Sequence, residues 1–491
     1  MSSPVSTYFR SHAQFAIFVN GLLLIGLGAS MLVPALVDFG TNNRDAENFV
    51  ICALLVGGTG SLFAAAFRQH RTGTLDRRTG YLITLTAWLS VSFFGSLPLA
   101  VSSLNISMTD ALFETVSGLT TTGATVLSGL DTTAPGLLLW RSLLQWIGGI
   151  GIVVMALAML PLLHVGGMQL FLSESSDVSG KTFPRVGQFA RAIGAVYVGL
   201  TLACTAGLMV AGMGAFDAVN HAMAAIATGG FSTKDASVGF YNSVGIEVVL
   251  IVFMTAGALP LVVYASLLMR GRRAILEDGQ VFGFLKVLAV AIGAATVWNI
   301  SQGMEPFLAL RVSAFNVTSV LTDTGFATTD FSTWGSFAIG LFFVLYFIGG
   351  CAGSTAGAIK IFRWQILFVS ALRHLKTTLS PSRILVLRYQ QKQIDGDTIA
   401  AVRNFFFMYL ITFVVLSLAA MATGLDFLSS TSAVAQGMAN AGPGLGPVVG
   451  PATNFGHVPE AAKWVVMAAM LLGRLELATV YVVLLPDFWK R

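Results

Sequence analysis

Long apolar stretches alternate with short ones along this chain, and a polar turn carrying glycine follows four of the short ones. The long stretches lie at about 15–37, 49–67, 81–102, 137–160, 189–212, 244–269, 283–301, 335–358, 401–423 and 460–485. Most approach the roughly 20 residues that a helix needs to cross a bilayer. The short stretches at 109–120, 216–227, 312–322 and 428–439 cannot cross, and are read as half-helices that enter the membrane and turn back. The turns behind them read TTTGAT around Gly123, TGGFST around Gly230, DTGFAT around Gly325 and NAGPGLG around Gly442. The glycines recur roughly every hundred residues, a period that takes precedence over any single motif. The chain therefore reads as two leading helices followed by four copies of helix, half-helix, polar turn, helix. A polar turn at membrane depth is tolerated only where protein or a water-filled path surrounds it. Four of them suggest carbonyls ringed around one axis, the construction of a cation filter.

Composition and charge agree with a membrane protein. Of 491 residues, 55% are hydrophobic and 10% charged, against about 25% charged in soluble domains; the mean hydropathy is +0.78. No signal-peptide cleavage pattern is evident, and the first apolar stretch is expected to remain. Alternating across ten spans from an inner amino terminus puts 22 of the 28 Lys and Arg on one face. By the positive-inside rule that face and both termini are cytoplasmic. The other face holds Arg44, Arg141, Lys234, Arg311 and Lys463 against 14 acids. That acidic excess would concentrate cations at a pore mouth, although outer loops also drift acidic simply because basic residues are excluded from them. Cys52, Cys204 and Cys351 all fall in or beside apolar segments, without metal-ligand spacing, and read as small buried hydrophobes.

Alignment on the four glycines sharpens the repeat. Thirteen residues upstream stand Asp110, Asp217 and Ser429, each suited to cap a helix amino terminus. The third copy has Val312 there, and Pro306 is the expected start of its half-helix instead. Nine residues upstream stand Glu114, His221, Asn316 and Ala433; the three polar ones are read chiefly as braces for the turn. Each half-helix points its carboxyl end, with its partial negative charge, toward the axis. A carbonyl ring alternates the backbone through φ > 0, which glycine reaches without steric cost. Thr121, Thr122, Thr228 and Thr324 add hydroxyl oxygens or brace the loop. The expected filter set is Thr121, Thr122, Gly123, Thr228, Gly229, Gly230, Asp323, Thr324, Gly325, Asn440, Ala441 and Gly442.

The spans after the turns contain WIGGIG, MTAGALP, GGCAGSTAGAIK and LLGRLE. In the first two, small residues are read as helix packing. The third holds Gly349, Gly350, Cys351, Ala352, Gly353, Ser354, Thr355, Ala356 and Gly357, a poor helix interior because each glycine costs about 1 kcal/mol relative to alanine. It is read as a break lining the axis, a movable constriction. Arg474 is the basic residue deep inside the last span, where a charge is a functional candidate. It stands either on the axis as a barrier to cations or against the carbonyls of the broken third span. Glu476, two positions on, would diverge from it on a helix.

With these residues in hand the chain resembles the Trk/Ktr/HKT superfamily, and most closely its bacterial Trk-type potassium uptake membrane subunits. The matching pieces are SGLTTTGAT, HAMAAIATGGFST, TDTGFATTDF, NAGPGLG, GGCAGSTAGAIK and GRLELATVYVVLLPDFW. The resemblance implies an all-α polytopic membrane protein, with two leading helices and four M1–P–M2 repeats in a pseudo-fourfold, potassium-channel-like pore. It divides the chain at 1–78, 79–180, 181–275, 276–395 and 396–491. It also implies K+ at the filter, an intramembrane gating loop matching 349–357, and a gating arginine matching Arg474. A glycine matching Gly123 goes with potassium preference. Implied partners are a second copy of the chain, membrane lipid and a cytoplasmic nucleotide-binding (NAD- or ATP-type) regulatory subunit, in the inner membrane of a bacterium. Asp323 departs from the pattern; an acid there either alters ion affinity or points away and braces the loop.

No phosphate-binding GxxxxGK[ST] loop and no HExxH zinc pair occurs, so a pump driven by its own ATP hydrolysis is disfavoured. The leading expectation is potassium uptake, with no organic cofactor and no nucleic-acid partner. The alternative within transport is symport with H+ or Na+. A remote alternative is an intramembrane enzyme using Glu114, His221 or Glu476.

Overall fold

The two leading helices, Pro4–Gly40 and Asp45–Ala66, cross at glycine. A β-carbon at Gly60 would meet the Gly21 carbonyl oxygen at 2.7 Å, so backbone packs on backbone as small residues allow in membranes. The computed structural model describes residues 4–70, 76–159, 186–270, 278–382, 387–390 and 392–490. The expected repeat boundaries near 180 and 275 lie outside the described residues, as do Arg71, Lys181, Arg185, Arg272, Arg273, Arg383 and Arg491. The remaining spans surround four short helices, Met108–Leu119, Ala215–Ile226, Pro306–Leu321 and Phe427–Ala439. Apolar side chains face outward, with Leu54 72% and Phe282 74% exposed, while every residue of 429–439 is buried. That inversion fits a lipid exterior around a polar interior.

Seven of the described helices are long and apolar enough to cross a membrane, eight if one bent pair counts as a span. The ten-span reading is corrected where the backbone breaks. The span expected at 244–269 divides into Val244–Ala258 and Leu261–Arg270, because Leu259 is extended and Pro260 lacks an N–H. Its small residues do more than pack, since the freed carbonyls are used below. The span expected at 335–358 carries the break read at 349–357, which starts earlier than expected: the helix covers Ser336–Leu345, an irregular stretch follows, and a helix, Ile361–Leu379, lies beyond the expected end. The last span bends by 107° between Glu460–Arg474 and Leu477–Leu484. Arg474 and Glu476 thus do not share a helix. The only strands among the described residues are the paired Arg388–Tyr389 and Lys392–Gln393.

The short helices start differently from the thirteen-residue alignment. Ser107, Gly214, Glu305 and Asp426 hold the capping positions. Asp110 and Asp217 lie in the first turn, where an acid still favours the helix dipole, and Ser429 gives its N–H to Asp426. Asp110 instead bonds the Lys463 ammonium at 2.6 Å, and Asp217 accepts from the Thr233 hydroxyl at 2.7 Å. The third short helix begins at Pro306, with Glu305 accepting from the N–H groups of Phe307 and Leu308. Those two donors hold the Glu305 carboxyl below its ordinary range. The helix thus starts at Pro306 as expected, upstream of the apolar stretch at 312–322.

Candidate functional site

All four short helices end in the same backbone figure. The residues two before each glycine, Thr121, Thr228, Asp323 and Asn440, have φ of 53°, 52°, 59° and 61°. The next N–H in each copy reaches back five residues. Thr122, Gly229 and Thr324 bond the carbonyls of Ser117, Ala224 and Ser319 at 2.8 Å, and Ala441 bonds that of Gln436 at 3.0 Å. This is the left-handed helix stop that satisfies the last carbonyls. Gly123, Gly230, Gly325 and Gly442 then return to positive φ, at 86°, 77°, 89° and 90°.

The turns meet in cyclic order. A β-carbon at Gly123 would collide with the carbonyl oxygen of Gly229, and one at Gly230 with that of Thr324. At Gly325 it would lie 2.6 Å from the carbonyl oxygen of Ala441, and at Gly442 it would lie 3.1 Å from that of Thr122. Each glycine therefore abuts the carbonyl just before the next glycine, and the fourth turn closes on the first. The twelve expected filter residues come together in this ring.

Side chains behind the ring hold its shape. Thr122 shares a hydrogen bond with Thr120 at 2.7 Å, and Thr324 shares one with Thr322 at 2.8 Å. Asn440 Nδ2 donates to Thr122 Oγ1 at 3.0 Å. Glu114 accepts from the Val126 N–H and the Thr125 hydroxyl, His221 Nε2 meets Ser232 Oγ, and Asn316 spans Thr328. Where the fourth copy has Ala433, its neighbour Ser432 takes the Leu445 N–H at 2.9 Å. Arg141, expected on the outer face, is buried: its Nε bonds Glu114 at 2.7 Å and its Nη1 bonds the Ser232 carbonyl at 2.9 Å. It ties the first turn to the second. Of the residues offered for the enzyme alternative, Glu114 pairs with Arg141, His221 meets Ser232 Oγ, and Glu476 pairs with Arg363 at 2.8 Å.

The glycine-rich stretch lies directly against this ring. Cys351 N–H bonds the Ala258 carbonyl at 2.9 Å, Thr355 N–H bonds that of Gly257 at 3.3 Å, and Ala358 N–H bonds that of Ala439 at 2.9 Å. Thr355 Oγ1 lies 2.9 Å from the Ile226 carbonyl oxygen and 3.4 Å from Thr228 Oγ1. Gln280 holds the Ala352 N–H. The stretch thus touches the end of the second pore helix, the end of the fourth, and the break before Pro260. Arg474 Nη1 donates to the Thr355 carbonyl at 2.8 Å, while its Nε and Nη2 have no hydrogen-bond partner among the described residues. Lys360 donates to Ala356. Asp323 faces the stretch: a β-carbon at Gly349 would lie 3.1 Å from its Oδ2. Lys360 and Arg474 are the charges that act on it.

Sequence reading missed Gln145. Its Nε2 bonds the Gly229 carbonyl at 2.5 Å and its Oε1 accepts from the Phe231 N–H at 3.1 Å. The available signal was a lone glutamine inside an apolar span, LLQWIGG.

Four pseudo-equivalent re-entrant turns closed into a ring, with an irregular membrane-depth segment against them, define a pore-type multi-span membrane protein. The sequence matches the TrkH family, described as cation transport proteins, over residues 46–292 and 284–490, and the chain belongs to that family. It is 44% identical over 477 residues to the Trk system potassium uptake protein TrkI of Halomonas elongata, with 96% of each chain covered. It is 37% identical over 478 residues to TrkH of Escherichia coli K12, covering 96% of this chain and 98% of that one. The crystal structure of the potassium transporter TrkH from Vibrio parahaemolyticus superposes with a TM-score of 0.90 at 36% identity, covering 97% and 99% of the two chains.

Proposed function

We propose that this chain is the pore subunit of a potassium uptake system in the inner membrane of a bacterium. Dehydrated K+ passes the ring of Thr121–Gly123, Thr228–Gly230, Asp323–Gly325 and Asn440–Gly442. The observation carrying this reading is the cyclic contact of each turn glycine with the carbonyl before the next. Carbonyl oxygens replace the hydration shell of the ion, and four helix carboxyl ends favour a cation over an anion. Relatives named as potassium uptake proteins at 44% and 37% identity support K+ as the ion.

The segment 349–357 and Arg474 form the gate in this reading. The segment supplies backbone that moves, and Arg474 supplies a positive charge whose repulsion strengthens in a narrow, poorly hydrated passage. The fivefold division at 78, 180, 275 and 395, a homodimeric assembly and a cytoplasmic nucleotide-binding regulator belong to the same proposal. The test is ion flux into liposomes holding the purified chain, comparing K+, Rb+ and Na+, for wild type and Gly123→Ser. The expectation is K+ and Rb+ flux above Na+, with discrimination weakened in the variant. Equal flux of all three ions in wild type, or an unaltered K+/Na+ ratio in the variant, rejects the filter assignment. Reversal potentials under imposed H+ and Na+ gradients separate a channel from a symporter.

A further inference from the structure

We infer that Gln145, on the span after the first turn, is a specificity-determining positioning residue that fixes the second turn of the ring. The inference rests on the filter reading above and deepens it. Gln145 is fully buried, and its amide grips both sides of Gly230: the NH2 end donates to the Gly229 carbonyl, and the oxygen end accepts from the Phe231 N–H. An amide that donates at one end and accepts at the other has one orientation, since a flip would set oxygen against oxygen.

The need for it is visible in the repeat. The first and third turns brace themselves with the hydroxyl pairs Thr120–Thr122 and Thr322–Thr324. The fourth uses Asn440, bonded to Thr122 and to the Met470 carbonyl. The second turn has Ala227 and Gly229 at the positions of those threonines and no hydroxyl pair within the turn; its Thr228 hydroxyl turns to the Ala227 carbonyl and to Thr355. Gly229 cannot carry a side chain there, because a β-carbon would collide with the Gln145 amide. The first repeat therefore supplies from outside the brace that the second repeat lacks. A carbonyl has two lone pairs, so Gly229 accepts from Gln145 with one and keeps the other for an ion. Without the amide this oxygen is free to rotate or shift, and the ring loses a fixed ligand position.

The experiment compares wild type, Gln145→Leu and Gly230→Ser in liposomes, measuring the K+ concentration for half-maximal flux and the K+/Na+ flux ratio. Both readouts are independent of how much protein inserts. Gln145→Leu keeps the bulk and loses both bonds. It is expected to raise the half-maximal K+ concentration and lower the K+/Na+ ratio by roughly tenfold, the scale of a lost hydrogen bond. Gln145→Met keeps the length of the side chain and loses both bonds. It carries the same expectation should the leucine variant fail to fold. A shifted ratio in Gly230→Ser with both readouts unchanged in the folded Gln145 variants overturns the positioning role alone. An unchanged ratio in Gly230→Ser overturns the filter reading beneath it. As a further check, Gly229→Ala is expected to fold poorly on its own and to recover folding, with selectivity still low, when combined with Gln145→Ala. No recovery of folding would remove the packing half of the inference.

Discussion

Thr121 and Thr228 are β-branched residues held at φ 53° and 52°, a conformation such residues rarely adopt. Strain of this kind costs on the order of 1–3 kcal/mol and persists where surrounding contacts over-determine it. Here the helix stop and the neighbouring turns supply those contacts. The Glu114–Arg141 pair is one of them, with the two side chains 0% and 1% exposed. Removing one member strands a buried charge, which costs about 3–5 kcal/mol, whereas apolar replacement of both is often close to neutral. Arg141→Met is therefore expected to unfold well before wild type in a denaturant titration followed by tryptophan fluorescence, and Glu114→Leu with Arg141→Met to recover most of the loss. A double variant no better than the single would show that Arg141 acts instead through the Ser232 carbonyl and the Phe231 ring, whose centre lies 4.1 Å from its guanidinium. Asp323 is a second case of buried charge balance, lying beside Gly349 under the influence of Lys360 and Arg474. Where Asp323 is ionised, Asp323→Asn removes one acid near those two cations and makes the passage more positive. Flux through the activated pore is expected to fall in that variant and to recover when Arg474→Met restores the balance. Unchanged flux in Asp323→Asn would mean that its charge does not reach the ion path.

The elements were legible to different degrees. Repeated polarity, Gly123 to Gly442 in step, gave the four turns and the order of helices, because period and composition are local properties. The start of the third pore helix was legible from Pro306, which presets the first helical position. The caps at Ser107, Gly214 and Asp426 were not, since alignment on the glycine does not count the turn of helix before Asp110, Asp217 and Ser429. The breaks at Pro260 and Glu476 were hidden by apolar composition, which is the same on either side of a kink. The brace from Gln145 depends on a contact between residues 84 apart, which no local pattern carries. The segment proposed as the gate lies between these cases: its glycines mark the break, but only the fold shows that Cys351, Thr355 and Ala358 bond carbonyls at the ends of other helices. Each such bond is worth about 1 kcal/mol net, so a handful of them closes the segment without locking it. Arg474→Ala, or deletion within 350–357, is expected to raise K+ flux without any partner and to leave ion preference nearly intact, because the ring is a separate layer. A folded Arg474→Ala protein with wild-type basal flux would assign the arginine to structure alone.

At the scale of the whole molecule, charge and exposure divide the faces. On the expected outer face Arg141, Arg311 and Lys463 are each paired with an acid, Glu114, Glu247 and Asp110 respectively. Each pair removes one acid together with one base, so the acidic excess of that face stays at the value the residue count gives. On the expected inner face Arg373, Lys376, Arg388 and Arg403 are exposed, and the helix Ile361–Leu379 follows closely on the segment proposed as the gate. A force applied to that helix has a short covalent path to Gly357 and Thr355. The same helix exposes Phe368, Leu375 and Leu379 at 66%, 64% and 86%, so it presents both charge and apolar surface. Basic side chains close to anionic lipid contribute about 1 kcal/mol each, and lipid is the competing occupant of this face. Reversal of Arg373, Lys376, Arg388 and Arg403 to glutamate is therefore a test with two readings. Loss of copurification with a nucleotide-binding regulator, together with loss of nucleotide-dependent flux but normal basal K+ preference, supports docking there. Retained copurification and regulation, with weaker binding of the purified protein to vesicles containing anionic lipid, assigns these charges to the bilayer and moves the regulator's contact elsewhere on the inner face.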